Sequence, residues 1–122
     1  MAAPPVFAVA LLQDIAFGAD MISYLAGLDA TLEPYGGRFV VHRPAPTVVE
    51  GELSGRSALI VIEFPDRISA EQWYESPAYQ EILPLRTRNS RAVAMIVDTV
   101  PEGYRARQGL EVMLDRSKDP RR

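Results

Sequence analysis

The chain of 122 residues has no cysteine and one histidine. Without cysteine there is no disulfide, thiolate nucleophile or zinc-thiolate site, a composition that suits a reducing cytoplasm. One histidine leaves a metal ion little but carboxylates, and no Asp/Glu cluster at helical spacing accompanies it, so no metal centre is expected. Basic residues are missing from everything before Arg38. The apolar run Val6-Phe7-Ala8-Val9-Ala10-Leu11-Leu12 therefore lacks the charged leader of a signal peptide, and it is too short to cross a bilayer. It reads as a buried strand, and no membrane partner is expected. A broad basic face is missing too. The formal net charge of -3 comes from interspersed acids and bases, which leaves nothing to neutralise a run of phosphates, so nucleic acid is not an expected partner. Internal repeats and phosphate-binding glycine loops are also lacking. Gly36-Gly37 leads into a strand rather than a helix N-terminus, the wrong context for a dinucleotide, and no cofactor is expected.

What is present is enough chain for one domain that buries its own core. After the first strand, Gln13 to Ala19 is a connection, and Asp20 is placed to cap a helix whose Met21, Leu25, Leu28 and Leu32 recur at helical spacing. That helix should stop near Pro34, and Gly36-Gly37 turns the chain into a second strand, Arg38 to Arg43, rich in β-branched and aromatic residues. Pro44 and Pro46 end it. Thr47 to Leu53 is expected as a short edge strand, Ser54-Gly55 as a turn, and Ser57 to Phe64 as a strongly apolar strand closed by Pro65. Ser69, with Gln72 at the capping-box position, predicts the next helix, broken at Ser76-Pro77 and resuming from Ala78 to about Arg88. Ala92 to Val100 is the last strand. The domain is thus expected over 1–100, with 101–122 a C-terminal extension carrying an amphipathic helix from about Tyr104 to Arg116 and a disordered end from Ser117.

The order β-α-β-β-α-β, with the extra strand in its middle, predicts an α+β fold of ferredoxin-like arrangement with an antiparallel sheet. Both alternating sets of the third main strand are mostly apolar, Leu59 and Val61 against Ala58, Ile60, Ile62 and Phe64, and the last strand behaves alike. Two helices cover only one face of such a sheet. At roughly 25 cal/mol per Å², leaving the other face wet costs more than a marginally stable domain can absorb. A second copy would cover it, although the C-terminal extension could do part of this.

Certain segments then stand in one order: Tyr35-Gly36-Gly37-Arg38-Phe39, Val49-Glu50-Gly51, Ile62-Glu63-Phe64-Pro65, Trp73-Tyr74-Glu75-Ser76-Pro77-Ala78-Tyr79 and Leu83-Pro84-Leu85-Arg86. At this spacing the chain, from roughly Val6 to Val100, resembles the DUF1330 family, which belongs to the dimeric α/β-barrel group with ferredoxin-like protomers. The resemblance implies a homodimer with two sheets packed face to face around a pocket. At His42-Arg43-Pro44 the chain departs from similar proteins, which often carry a glycine pair there.

Candidate chemistry centres on His42, since imidazole is the side chain best suited to proton transfer near neutrality, or else His42 simply ends a strand in a hydrogen bond. Regular alternation puts Arg38, Val40 and His42 on one face and Phe39, Val41 and Arg43 on the other, so only one of His42 and Arg43 should line a pocket. Glu63, on the face of Leu59 and Val61, needs a partner and is expected to orient His42 or to pair with an arginine; Asp98 is a weaker parallel. Arg86 could clamp a carboxylate or an enolate-like oxygen, or else compensate a helix C-terminus and pair with Glu75 or Glu81. Tyr24, Trp73, Tyr74 and Tyr79 offer ring faces for a flat ligand, with core packing as the competing role, above all for Trp73.

Two functions fit. One is a cofactor-independent enzyme, an isomerase, cyclase or lyase, with His42, Glu63 and Arg86 as catalytic residues and Tyr24, Arg43, Trp73 and Tyr79 binding a small aromatic or carbonyl-containing metabolite. Related dimeric α/β-barrel families, which include enzymes of secondary metabolism and aromatic degradation, point the same way by analogy of fold. The other is a noncatalytic homodimer that binds a small ligand or assists another protein.

Overall fold

A computed structural model of the chain describes residues 3–44 and 46–117. Its elements are β1 (Val6–Gln13), α1 (Ala19–Leu32) with a 3-10 turn at Glu33–Tyr35, β2 (Arg38–Pro44), β3 (Ala58–Phe64), α2 (Arg67–Glu75), α3 (Pro77–Thr87), β4 (Arg91–Asp98) and α4 (Ala106–Ser117). The sheet runs β2-β3-β1-β4 with every neighbouring pair antiparallel. This is the ferredoxin-like α+β arrangement that the element order predicts. Among the described residues no helix is long and apolar enough to cross a membrane.

Register explains the two faces. Val6, Ala8, Ala10 and Leu12 of β1 stand opposite Phe64, Ile62, Ile60 and Ala58 of β3, and this set faces the helices. Met21, Tyr24, Leu28 and Leu32 of α1, Ala70 and Trp73 of α2 and Tyr79 of α3 complete the core. The intervening residues, Phe7, Val9 and Leu11, align with Val61 and Leu59 of β3 and with Val97, Met95 and Val93 of β4 on the opposite face. That face stays open: Val93 is 55% and Met95 46% exposed. Helix α4 does not close it, since its Leu110, Val112 and Met113 are themselves exposed.

Local expectations fared unevenly. The break at Ser76-Pro77 is real, because the Ser76 hydroxyl accepts from the Tyr79 N–H at 3.3 Å and donates to the Trp73 carbonyl at 2.7 Å, ending α2 and starting α3 in one residue. Gly36 does supply the turn, at φ +72, while a Cβ on Gly37 would stand 2.8 Å from the Phe64 ring. Ser69 is not the cap of α2. Asp66 is, its carboxylate accepting from the Ser69 N–H at 2.7 Å, so the helix starts at Arg67. Nor does Asp20 cap α1: Gly18 holds that position, and the Asp20 carboxylate is drawn to the Asn89 side-chain amide at 3.0 Å and to Arg88 at 3.3 Å.

Two further corrections concern the sheet. Thr47 to Leu53 is not a strand; Val48, Val49, Glu50 and Glu52 are exposed and Gly51 has φ +84, so the segment has no apolar face to bury against an edge. Strand β2 is bulged between Phe39 and Val41, which places Phe39 opposite Ile62 and His42 opposite Ile60. Phe39 and His42 therefore share the helix-side face, their rings stacked 4.6 Å apart, instead of lying on opposite faces. In the C-terminal extension, Ser117 closes α4, and the expectation of disorder for Lys118 to Arg122 lies outside the described residues.

Two stability effects follow from side-chain hydrogen bonds of this kind. Ser76→Ala should lower the unfolding free energy by about 1 kcal/mol in urea denaturation, the usual worth of a serine cap. Asp14, Asp20 and Asp66 all have carboxyl pKa values held below the ordinary value, chiefly by hydrogen bonds from Ser54, Asn89 and the Ser69 backbone respectively. Their contribution to stability is complete above the unfolded value of 3.8 and is lost as pH falls below it. Melting temperature should fall in that acid window, and fall less in Asp20→Asn, whose own starting stability is lower.

Candidate functional site

A cleft of about 400 Å³ opens on the helix-side face, between the sheet and the α1, α2 and α3 helices. Its floor exists because the sheet is alanine there: Ala10 of β1 pairs with Ala94 of β4, and Ala8 lies between Ile62 and Ile96. A methyl group rises too little to meet the helices, so space remains above it. The walls are aromatic. The Tyr79 ring lies tilted against Trp73 at 4.2 Å and Tyr74 at 5.5 Å, and Tyr24 meets Tyr79 edge-on at 6.2 Å.

Trp73 is fixed by its polar edge. The indole N–H donates to the Thr31 hydroxyl at 3.0 Å, which donates to the Leu28 carbonyl at 2.7 Å, so Trp73 gives the cleft a ring face and no free donor. The phenols are different. The Tyr24 and Tyr79 hydroxyls share one hydrogen bond of 2.9 Å, and either can be the donor, so one phenol proton is left over.

Arg86 closes the inner end. It is 3% exposed, its guanidinium lies 5.9 Å from the centre of the Tyr24 ring, and its Nε–H has no acceptor. Ion pairing with Glu75 or Glu81 does not occur: both are exposed, and among the described residues no carboxylate pairs with Arg86. Burial works against its charge, but the Tyr79 and Tyr24 phenol oxygens favour the cation and leave its pKa above the ordinary value. The Tyr24 phenol is itself raised far above the tyrosine range, by burial first and by Tyr79 second, with Arg86 pulling the other way. At the mouth Arg67 lines the cleft and pairs with Asp98 at 3.0 Å. Among the described residues no carboxylate or imidazole lines the cleft, so the donor set suits an anion and not a metal ion.

The residues singled out from sequence are thus divided among three places. Arg86, Tyr24, Trp73 and Tyr79 meet in the cleft. His42 is exposed and borders a second groove of about 340 Å³, under the start of α1, where the Arg56 guanidinium lies 5.0 Å over the Phe17 ring. Glu63 is on the open face, where its carboxylate accepts from the Arg38 guanidinium at 2.7 Å; of its two expected partners it has an arginine and not His42. Arg43 pairs with Leu59 in the register, and the expectation for its side chain lies outside the described residues. Sequence reasoning missed the coupling of Tyr24 to Tyr79 and the burial of Arg86. A signal for the second was there: Tyr79, Ile82, Leu83 and Arg86 fall on one helical stripe, with an arginine at its end.

A family model described as "Domain of unknown function (DUF1330)" matches residues 5–100. No curated protein sequence matches the chain. Among solved structures, RPA0582 from Rhodopseudomonas palustris, a protein of unknown function, is similar at a TM-score of 0.62 and 14% identity, over 81% of this chain and 85% of that one. SnoaB, a cofactor-independent oxygenase from Streptomyces nogalater, reaches 0.58 at 15% identity over 84% and 100%. A dimeric ferredoxin-like protein of unknown function from Jannaschia sp. CCS1 reaches 0.59 at 12% identity over 77% and 99%. At these identities the likeness is one of fold.

Alkaline titration checks the buried phenol. A raised folded pKa means stability complete below the unfolded tyrosine value of about 10 and lost as pH rises above it. Ultraviolet difference spectra should show Tyr24 ionising only on unfolding, and Tyr24→Phe should soften the alkaline loss of stability.

Proposed function

The chain belongs to the DUF1330 family, and from that premise we propose that it is a homodimer that binds a small aromatic or carbonyl-containing metabolite in the helix-side cleft and acts on it by acid/base chemistry without a cofactor. The observation that carries this reading is the buried Arg86, without a carboxylate partner, beside the hydrogen-bonded hydroxyls of Tyr24 and Tyr79 in an otherwise apolar, aromatic slot. Its size falls in the usual range of small-ligand pockets, roughly 300–1,000 Å³. Arg86 holds the negatively charged oxygen of an enol that is already ionised, the role of an oxyanion hole. The Tyr24–Tyr79 pair donates a phenol proton to that oxygen, leaving a phenolate beside the Arg86 cation, and takes the proton back in the reverse step. Trp73 and Tyr74 set the ring plane. His42 and Glu63, catalytic candidates from sequence, border the second groove and the opposite face, so the proton-moving role passes to the tyrosines. SnoaB, of the same fold, is a cofactor-independent oxygenase, which supports by analogy cofactor-free chemistry on this scaffold.

A noncatalytic ligand-binding protein is the second reading. What favours it is that no carboxylate or imidazole base lines the cleft among the described residues. A cytoplasmic site of action fits both readings.

The homodimer rests on the open face. Phe7, Val9 and Leu11 with Val93 and Met95 form an apolar surface on the side away from α1 to α3, and a second sheet laid against it would remove it from water. The dimeric protein from Jannaschia shows that this fold can pair.

A thermal-shift screen of small aromatic and carbonyl compounds tests the site. Hits should raise the melting temperature of wild type and of His42→Ala alike and lose their effect in Arg86→Met. Hits indifferent to Arg86 would place ligand binding elsewhere. Sedimentation tests the assembly: the wild type should run at twice the protomer mass of 13.5 kDa at micromolar concentration, and Met95→Lys as a folded monomer.

A further inference from the structure

The cleft holds one cation that nothing neutralises. Arg67 at the mouth pairs with Asp98, but Arg86 at the inner end has no carboxylate partner among the described residues. An isolated buried charge is costly, and the Tyr24 ring face offsets that cost only in part. Hydrogen-bond bookkeeping gives the same result. Guanidinium N–H groups can donate to the phenol oxygens, one phenol donates to the other, and what remains, the Arg86 Nε–H, the other free guanidinium N–H groups and one phenol proton, is all donors. A site with a surplus of donors and one unpaired positive charge is complementary to a group that only accepts and carries a single negative charge. The guanidinium fork matches a planar, delocalised oxyanion best. The rest of the slot, with its alanine floor and tyrosine and tryptophan walls, suits a flat conjugated body.

Resting on the reading of this cleft as the ligand site, we propose that it selects a monoanion: an aromatic or conjugated molecule bearing one delocalised oxyanion, either a carboxylate or an acidic enol already ionised at neutral pH. Such a ligand brings its negative charge with it, which explains why the cleft is lined by a cation and phenols and not by a general base. Among the described residues a second anionic group finds no second free cation in the cleft, since Arg67 is paired with Asp98, so dianions are disfavoured. The neutral isostere leaves Arg86 desolvated and unpaired and is rejected for that reason.

Matched probes test this on the full chain, read through the fluorescence of Trp73, the single tryptophan. Naphthoate, its neutral carboxamide and hydroxycoumarin supply a carboxylate, an isostere and an acidic enol. Naphthoate should bind the wild type at least about tenfold tighter than the carboxamide, the worth of one charge-assisted hydrogen bond. Arg86→Met should bring the two to equal affinity, Arg86→Lys should keep part of the preference, and Tyr24→Phe should reduce it with the fold intact. The ratio of hydroxycoumarin to naphthoate affinity tells enol from carboxylate. If acid and amide bind wild type equally and both depend on Arg86, selection of the anion is refuted while the cleft stands as the ligand site. If all three bind without regard to Arg86, or none binds, the cleft reading fails and the inference with it.

Discussion

The helix side of this protein is organised around Trp73. Its ring lies 5.3 Å from Phe64 of the sheet and 4.2 Å from Tyr79 of α3, and its N–H reaches Thr31 of α1. One side chain thus ties the sheet to α1 and α3, and the direction of its polar edge is set by the Thr31 hydroxyl. Large aromatic truncations in cores cost about 3–5 kcal/mol, so position and stability are maintained by the same contacts. The site depends on this arrangement at second hand. Tyr79 is held between Trp73 and the Ser76 cap, and only in that place does its hydroxyl meet Tyr24. Arg86 follows Tyr79 by two helical turns and inherits its direction.

Two features work against stability and make sense only together. The alanine floor gives up apolar packing that larger residues would supply, and the buried Arg86 carries a charge away from water without a counter-ion. A domain selected for stability alone would fill the first with bulk and replace the second by leucine. Space and unpaired charge in one place are what a ligand would use. The opposite face of the sheet poses the complementary problem, an apolar surface with no cover among the described residues, and α4 does not solve it, because its own apolar residues are exposed.

Much of the fold was legible. Alternation in Val6 to Leu12 and in Ala58 to Phe64, the glycines at 36 and 37 and the Ser76-Pro77 break each follow from rules acting over a few residues, and each corresponds to an element of the structure. The misreadings differ in cause. Ser69 and Asp66 are both competent caps, and the choice fell to the Asp66 carboxylate, which takes the Ser69 N–H, whereas Asp20 is drawn away from the start of α1 by the distant Asn89. The bulge at Phe39 and Val41 depends on pairing with β3, which no local pattern encodes, and it moved His42 to the other face. Of the site, the residue types could be read. Their grouping could not, because Tyr24 and Tyr79 lie 55 positions apart and approach only when α1 and α3 pack side by side.

By itself the sequence determined the order of strands and helices, the two-sided apolar character of the sheet and the absence of thiol chemistry, since these follow from side-chain period and composition. Only tertiary packing brought Arg86 together with two phenols and carried His42 to a different groove. The physical reason is that a charged side chain's surroundings are set by whichever helix and strand happen to cover it, and those come from far along the chain.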